Sequence, residues 1–303
     1  MQRRSFLSAS AVALAAAAAA APSGKAQNKP HFQLKYGPHA GMFKHHVGDD
    51  LFEQMRFAAD QGFRAWEDNR AHQKPVEVQT KMGKTLEQLG MTMGVFVSFG
   101  IGRFDNPDFV TRTDKEYRDH IQGEMRTAVE VAKRVGAKWT TVVPGSVNEE
   151  LDPGFQEANC ITNLRAMAEI CEPAGLVMVL EPLNWFANHP RLFLRGVPQS
   201  YAVCKAVNSP SCKILDDLYH QQIDEGNLIP NMELGWDEIE YIQVGDNPGR
   251  KEPTTGEINY KNVFKWLHEK GYEGVVGMEH GISQPGLEGE KALIAAYREV
   301  DSF

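Results

Sequence analysis

Cysteine is scarce in this 303-residue sequence: Cys160, Cys171, Cys204 and Cys212 are all it has. Their spacing matches no zinc-binding pattern. Cys160 and Cys171 fall on one predicted helix about three turns apart, too far to bond to each other. Buried thiols are expected, with a Cys204–Cys212 bridge left open. A basic excess is missing too. Lys and Arg number 32 against 40 Asp and Glu, a formal net charge of −8, and nucleic-acid binding needs the opposite balance. No glycine-rich phosphate loop follows the first predicted strand, which argues against a dinucleotide-binding fold. The single long apolar run lies at the N-terminus and is short for a membrane span.

That run has a different explanation. "MQRRSFLSAS" precedes an Ala/Val/Leu stretch from Ala11 to Ala21, followed by "PSGKAQ". A basic start, an apolar centre and small residues near a cut site make an export signal. Arg3-Arg4 followed by Ser5, Phe6 and Leu7 resembles the twin-arginine type. Cleavage is expected after Ala21 or Ala26, with residues 1–30 as signal and linker. The mature protein is expected to be periplasmic or exported, with no stable membrane span.

Residues 31–303 alternate between short apolar runs and amphipathic segments. Strands are expected at 32–37, 63–67, 92–99, 138–145, 175–182, 212–219, 241–246 and 274–280. Helices are expected between them, at 51–62, 76–90, 115–136, 155–175, 200–207, 260–271 and 290–300. Several end on Gly, the residue that adopts the left-handed helix stop without strain. The sixth unit, residues 220–239, reads as long and partly loop-like. Eight strand–helix units over about 270 residues predict a single-domain α/β fold, a (β/α)8 TIM barrel; an open doubly wound sheet is the alternative.

In such a barrel, chemistry sits where strands end at the C-terminal face. The last four predicted strands end in or carry Glu181, Asp216-Asp217, Gln243 and Glu279. Carboxylates crowded together resist ionisation, and a divalent cation resolves the repulsion. Oxygen-only donors select Mg2+ or Mn2+ over zinc. Side chains alternate across a strand, so Asp216 and Asp217 cannot both point inward; periodicity alone does not choose between them. Glu67 ends the second strand, with a substrate contact and a surface position both open. His39, His45 and His46 fall in a polar loop after the first strand. Trp185 and Phe186 are candidate walls of a site.

The runs "LEPLN" (180–184), "DLYHQQIDEGNL" (217–228), "QVGDNPGRKEPTTGEINY" (243–260) and "GYEGVVGMEHG" (271–281) resemble the hydroxypyruvate isomerase family. That family lies within the xylose isomerase-like barrel superfamily, with ketose 3-epimerases as relatives. The resemblance spans most of residues 32–300 and is sharpest in the C-terminal half. It implies a metal held by Glu181, Asp217, Gln243 and Glu279, choosing Asp217 over Asp216 by its spacing from His220. It implies Glu181 and Glu279 as the catalytic acid/base pair, and His220 and Arg250 as substrate-binding groups. Tyr241 stands where the family often has His, His280 where Tyr is common, and the export signal is a further departure.

These residues suit the isomerisation of a small 2-hydroxycarbonyl acid, the pair hydroxypyruvate and tartronate semialdehyde. One carboxylate removes a proton beside a carbonyl and another returns it. A divalent metal stabilises the negative oxygen that develops. The planar Arg250 fork suits a substrate carboxylate. The competing expectations are a sugar epimerase or polyol-ketone dehydratase on the same barrel, and a non-catalytic periplasmic binding protein. The partner is expected to be a small molecule, with a homo-oligomer possible and no nucleic acid.

Overall fold

The computed structural model describes residues 31–100, 102 and 104–303; the expected export signal in residues 1–30 lies outside them. Nine short parallel strands form the frame: β1 Lys35–Gly37, β2 Ala65–Trp66, β3 Thr92–Met93, β4 Val97–Phe99, β5 Trp139–Val142, β6 Val177–Leu180, β7 Cys212–Asp217, β8 Ile239–Gln243 and β9 Val275–Gly277. Seven pair in the order β4-β5-β6-β7-β8-β9-β1, and β2 pairs with β3. Single bridges, His39 with Glu67 and Met93 with Ala137, join the two sets. The expected third strand, residues 92–99, is thus β3 and β4 separated at Gly94–Phe96, which leaves eight strand positions in the ring.

Helices lie between the strands and after the last one: α2 Leu51–Asp60, α3 Val76–Leu89, the short α4 Asp108–Thr111, α5 Lys115–Val135, α6 Pro153–Cys171, α7 Val197–Val207, α10 Tyr260–Glu269 and α11 Gly286–Val300. Local chemistry marks their ends. Asp50 accepts hydrogen bonds from the Phe52 and Glu53 amides and so starts α2. Gly90 and Gly136, at φ 65° and 74°, take the left-handed stop after α3 and α5. The sixth unit is more helical than its sequence suggests. It contains α8 Leu218–Asp224 and α9 Leu228–Gly235. The Asp217 carboxylate accepts from the Tyr219 amide and begins α8 directly at the strand end, so strand and helix share a residue with no loop for the pattern to reveal. His45 and His46 likewise sit in a short helix, α1 Lys44–Val47, and not in a loop. The His46 ring and amide both bond to the buried Glu290.

Strand alternation splits the interior. Val95, Trp139, Val179, Leu215, Tyr241 and Val275 pack together within the ring, apart from the larger core between strands and helices. Ile214 belongs to that outer core. The cysteines are buried and free. No helix among the described residues is long and apolar enough to cross a membrane.

Candidate functional site

The inward face of each strand continues past its apolar residues into an oxygen-bearing side chain. Val179 is followed on the same face by Glu181, Leu215 by Asp217, and Tyr241 by Gln243. Val275 and Gly277 are followed by Glu279. The strand register sets Asp217 beside Gln243 and Gln243 beside Gly277. The choice between the paired aspartates follows from this: Leu215 lies inside the ring and Ile214 outside, so Asp217 faces the mouth and Asp216 the helices. Both are buried, but Asp216 has an oxygen with no hydrogen-bond partner.

Ala65 lies inside the ring as well, and Glu67 follows it on that face. The surface position open to Glu67 from sequence is corrected here: it is 1% exposed. Its carboxylate accepts from the Tyr241 hydroxyl at 2.7 Å and from Gln243 Nε2 at 2.9 Å. Five strand ends therefore meet at the mouth, one more than the four expected.

Ligand atoms of Glu181, Asp217 and His220 lie within 4.8 Å of one another, a possible metal site. The orientation of His220 follows from its neighbours. Asn184 Oδ1 accepts the Ala187 and Asn188 amides, so its Nδ2 must be the end that meets His220 Nδ1, at 2.5 Å. The Asn184 backbone N–H also points there, at 3.4 Å. Nδ1 is thus the acceptor and the proton sits on Nε2. Nε2 lies 3.4 Å from Asp217 Oδ2 and 3.9 Å from Glu181 Oε1. In this tautomer His220 is a hydrogen-bond donor aimed at the site. Burial, with the Arg250 charge assisting, holds its pKa well below the usual value, which keeps it neutral.

Arg250 reaches the site but does not present an open fork. One Nη2 bonds both Asp217 at 2.8 Å and Glu279 at 3.0 Å, and Nε donates to the Glu279 carbonyl at 3.0 Å. Its Nη1 edge remains for a ligand. The loop that aims it is held at several points. Arg250 sits at φ 51°, with its amide on the Asp246 carbonyl at 2.8 Å and its carbonyl receiving the Gly281 amide at 2.9 Å. The Asp246 carboxylate ties down the Gly256 and Ile258 amides. Glu252 bonds the Ser283 amide and hydroxyl, pairing with neither Arg250 nor Lys251, and Glu257 accepts from Asn247. Asn259 itself caps α10.

Desolvation raises every carboxylate here. Glu181 stands well above the usual range, from burial first and then the Glu279 and Asp217 charges. Burial pushes Glu279 up to about 7, with Arg250 pulling it down and Asp217 pushing it further up. Burial also lifts Glu67 to about 8, helped by Glu279, and raises Asp217 against the pull of Arg250. A cluster that resists its own ionisation favours a bound cation. Gln243 Oε1 is buried with no hydrogen-bond partner. With the hard oxygen donors around it, that atom makes the set fit a divalent metal.

An opening of about 370 Å³, lined by His39, Asn69, Arg70, Lys74 and Glu279, gives access from one side. Asn69 donates to Glu279 Oε1 at 2.9 Å; no sequence pattern marks it. Asn184, within the quoted "LEPLN" run, gains a role only once His220 is placed against it. Trp185 is half-buried and Phe186 is 76% exposed, with Arg195 over both rings.

Residues 55–300 match the model of the xylose isomerase-like TIM barrel family. Hydroxypyruvate isomerase of Escherichia coli K12 is 32% identical over 167 residues, 55% of this chain and 63% of that protein. A Danio rerio protein named putative hydroxypyruvate isomerase is 29% identical over 248 residues, 78% of this chain and 87% of its own. The chain aligns with only 61–63% of the length of the first three curated relatives. Among solved structures, an AP endonuclease family 2 protein from Brucella melitensis superposes with a TM-score of 0.71 at 25% identity, over 87% of this chain and 99% of its own. An E. coli 3-keto-D-glucoside 4-epimerase also gives 0.71, at 19% identity, over 88% and 99%; that likeness bears on fold alone. The chain belongs to the xylose isomerase-like TIM barrel family.

Proposed function

We propose that this protein is a metal-dependent isomerase of a small 2-hydroxycarbonyl acid, with hydroxypyruvate and tartronate semialdehyde as the substrate pair. The observation that carries this is the meeting of strand-end oxygens at one end of the ring: Glu181 and Asp217 lie within 4.8 Å of each other, Gln243 stands beside Asp217 with a buried oxygen left without a partner, and Arg250 joins Asp217 to Glu279. Similarity to hydroxypyruvate isomerases supports the substrate class.

Those four side chains would hold Mg2+ or Mn2+, which supplies Lewis-acid stabilisation of negative charge on substrate oxygens. The remaining chemistry belongs to the chain. Glu181 and Glu279 stand on strands separated by β7 and β8, so they approach a bound substrate from different sides. One takes the proton from the hydroxyl-bearing carbon and the other gives a proton to the carbonyl carbon, while the hydroxyl proton passes from the first oxygen to the second. The two carboxyls return to their starting states by exchange with solvent. The Nε2–H of His220 donates to a substrate oxygen. Arg250 offers its Nη1 edge to the substrate carboxylate while its other nitrogens hold Asp217 and Glu279 in place.

The test is proton exchange. The mature protein is incubated in heavy water with Mg2+ or Mn2+ and a panel of hydroxycarbonyl acids and ketoses, and carbon-bound deuterium is read by NMR. Exchange confined to acids, and lost in Glu181→Gln and Glu279→Gln, is expected. Exchange only with ketoses would move the assignment to a sugar epimerase, and none at all would overturn the isomerase. We further propose that the twin-arginine-type signal in residues 1–30 directs the protein out of the cytoplasm. Fractionation of cells carrying the natural gene and an Arg3→Lys/Arg4→Lys variant checks that placement, with the variant expected to stay in the cytoplasm.

A further inference from the structure

A glutamine is an unusual choice among carboxylate ligands, because its two ends have nearly the same shape and opposite chemistry. The amide oxygen has lone pairs for a cation; the NH2 group has none. A half-turn of the amide exchanges them. Something must therefore hold the oxygen toward the mouth.

We propose that Glu67 and Tyr241 are positioning residues that lock the Gln243 amide with its oxygen facing the acidic cluster, making a neutral side chain a competent metal ligand. The proposal rests on the metal site inferred above. The chain of hydrogen bonds that supports it has a fixed direction. It begins at the Val95 backbone N–H, which can only donate, 3.3 Å from the Tyr241 hydroxyl oxygen. That hydroxyl must then spend its own hydrogen elsewhere, and it donates to Glu67 Oε2 at 2.7 Å. The other carboxylate oxygen, Oε1, accepts from Gln243 Nε2 at 2.9 Å. With Glu67 ionised, as a cation in the neighbouring cluster favours, an amide reversed at Gln243 would set oxygen against oxygen at Glu67. The observed orientation leaves Gln243 Oε1 as the unpartnered atom.

The backbone makes room for this chain. A Cβ at Gly94 would run into the Tyr241 hydroxyl, and a Cβ at Gly277 would run into the Glu67 carboxylate. The segment between β3 and β4 and the end of β9 thus lack side chains where the relay passes. Packing alone does not account for the arrangement. Glu67, Tyr241 and Gln243 are at most 1% exposed, and burying a carboxylate without a cationic partner is costly. An apolar residue at 67 and Phe at 241 would fill the same space. The carboxylate is useful where it is because it can accept from both neighbours at once. Orienting a metal ligand through a second hydrogen-bonded group is a general way to tune metal affinity.

The test is Mn2+ binding to metal-stripped mature protein, followed by the EPR signal of free Mn2+. Glu67→Gln is expected to weaken binding by about 10–100-fold, and Tyr241→Phe, which keeps the ring, by a smaller factor in the same direction. The decisive comparison is the double variant. In a Gln243→Ala background, Glu67→Gln should weaken Mn2+ no further, because the amide it orients is gone. Full affinity in both Glu67→Gln and Tyr241→Phe would overturn the proposal. So would an undiminished Glu67→Gln effect without Gln243, since Glu67 would then act by another route. Failure of the unaltered protein to bind Mn2+ would overturn the metal site itself, and this inference with it.

Discussion

The two ends of the barrel lumen are built from the same strands and could hardly differ more. The floor is a dry cluster that includes Val95, Trp139, Val179, Leu215 and Val275. The mouth, two residues further along each strand and four in the case of Glu279, gathers Glu67, Glu181, Asp217, Gln243 and Glu279. A step of two keeps a side chain on the same face of a strand, so the register that packs the floor also aims the mouth. The floor does more than fill space: it excludes water beneath the carboxylates, and desolvation is the first cause of every raised pKa among them. Charges held in such a place interact strongly with a cation or with developing charge on a substrate. Tyr241 is the joint between the two ends. Its ring meets Trp139 edge-on in the floor, and its hydroxyl holds Glu67 in the mouth.

The sharpest way to break the contrast is to neutralise the mouth and leave the floor alone. Glu181→Gln and Glu279→Gln are each expected to lower turnover by about 10²–10⁴-fold, with folding intact; steady-state isomerisation and circular dichroism together check this. The reverse experiment damages the floor. Leu215→Ala removes buried packing and should cost about 2–5 kcal/mol of stability, measured by urea unfolding, while Mn2+ binding persists in the folded fraction. Arg250→Gln tests the charge that now links Asp217 to Glu279. It should destabilise metal-stripped protein by about 2 kcal/mol, the scale of a charge-assisted hydrogen bond, and added Mn2+ should recover part of that loss in a thermal melt. The smallest effect is expected from Asp216→Asn. This neighbour of Asp217 faces the helices, so turnover should be unchanged and stability should shift by less than ~1 kcal/mol. A large loss of turnover there would contradict the alternation on which the comparison rests.

Much of the site was legible because it lies on strands. The apolar runs ending at Glu181, Asp217 and Gln243 announce both the strand and the point where it stops. Glu67 was harder to read. The "FRAWE" run is short, β2 spans only Ala65–Trp66, and nothing local says that Tyr241 and Gln243 wait opposite. Their separations from Glu67 are 174 and 176 residues, and no periodicity carries information over that distance. Arg250 was legible as a site residue, since a long polar loop at a strand end has little other reason to be so charged. Its partners were not, because a fork suited to a substrate carboxylate is equally suited to the protein's own.

The sequence by itself determined the succession of strands and helices, and the residue type at each inward strand end, because both follow from local periodicity and from caps such as Asp50 and Gly136. It also limited the donors at those strand ends to hard oxygen atoms. Periodicity left open which of Asp216 and Asp217 faces the mouth; the family resemblance chose Asp217, and the tertiary structure supplies the reason, as it also decides which nitrogen of His220 carries the proton and which end of the Gln243 amide points inward. Each of those is a choice between two nearly equal local states. In each case a neighbour far away in the chain removes the degeneracy: the ring packing around Leu215, the amide of Asn184, and the carboxylate of Glu67.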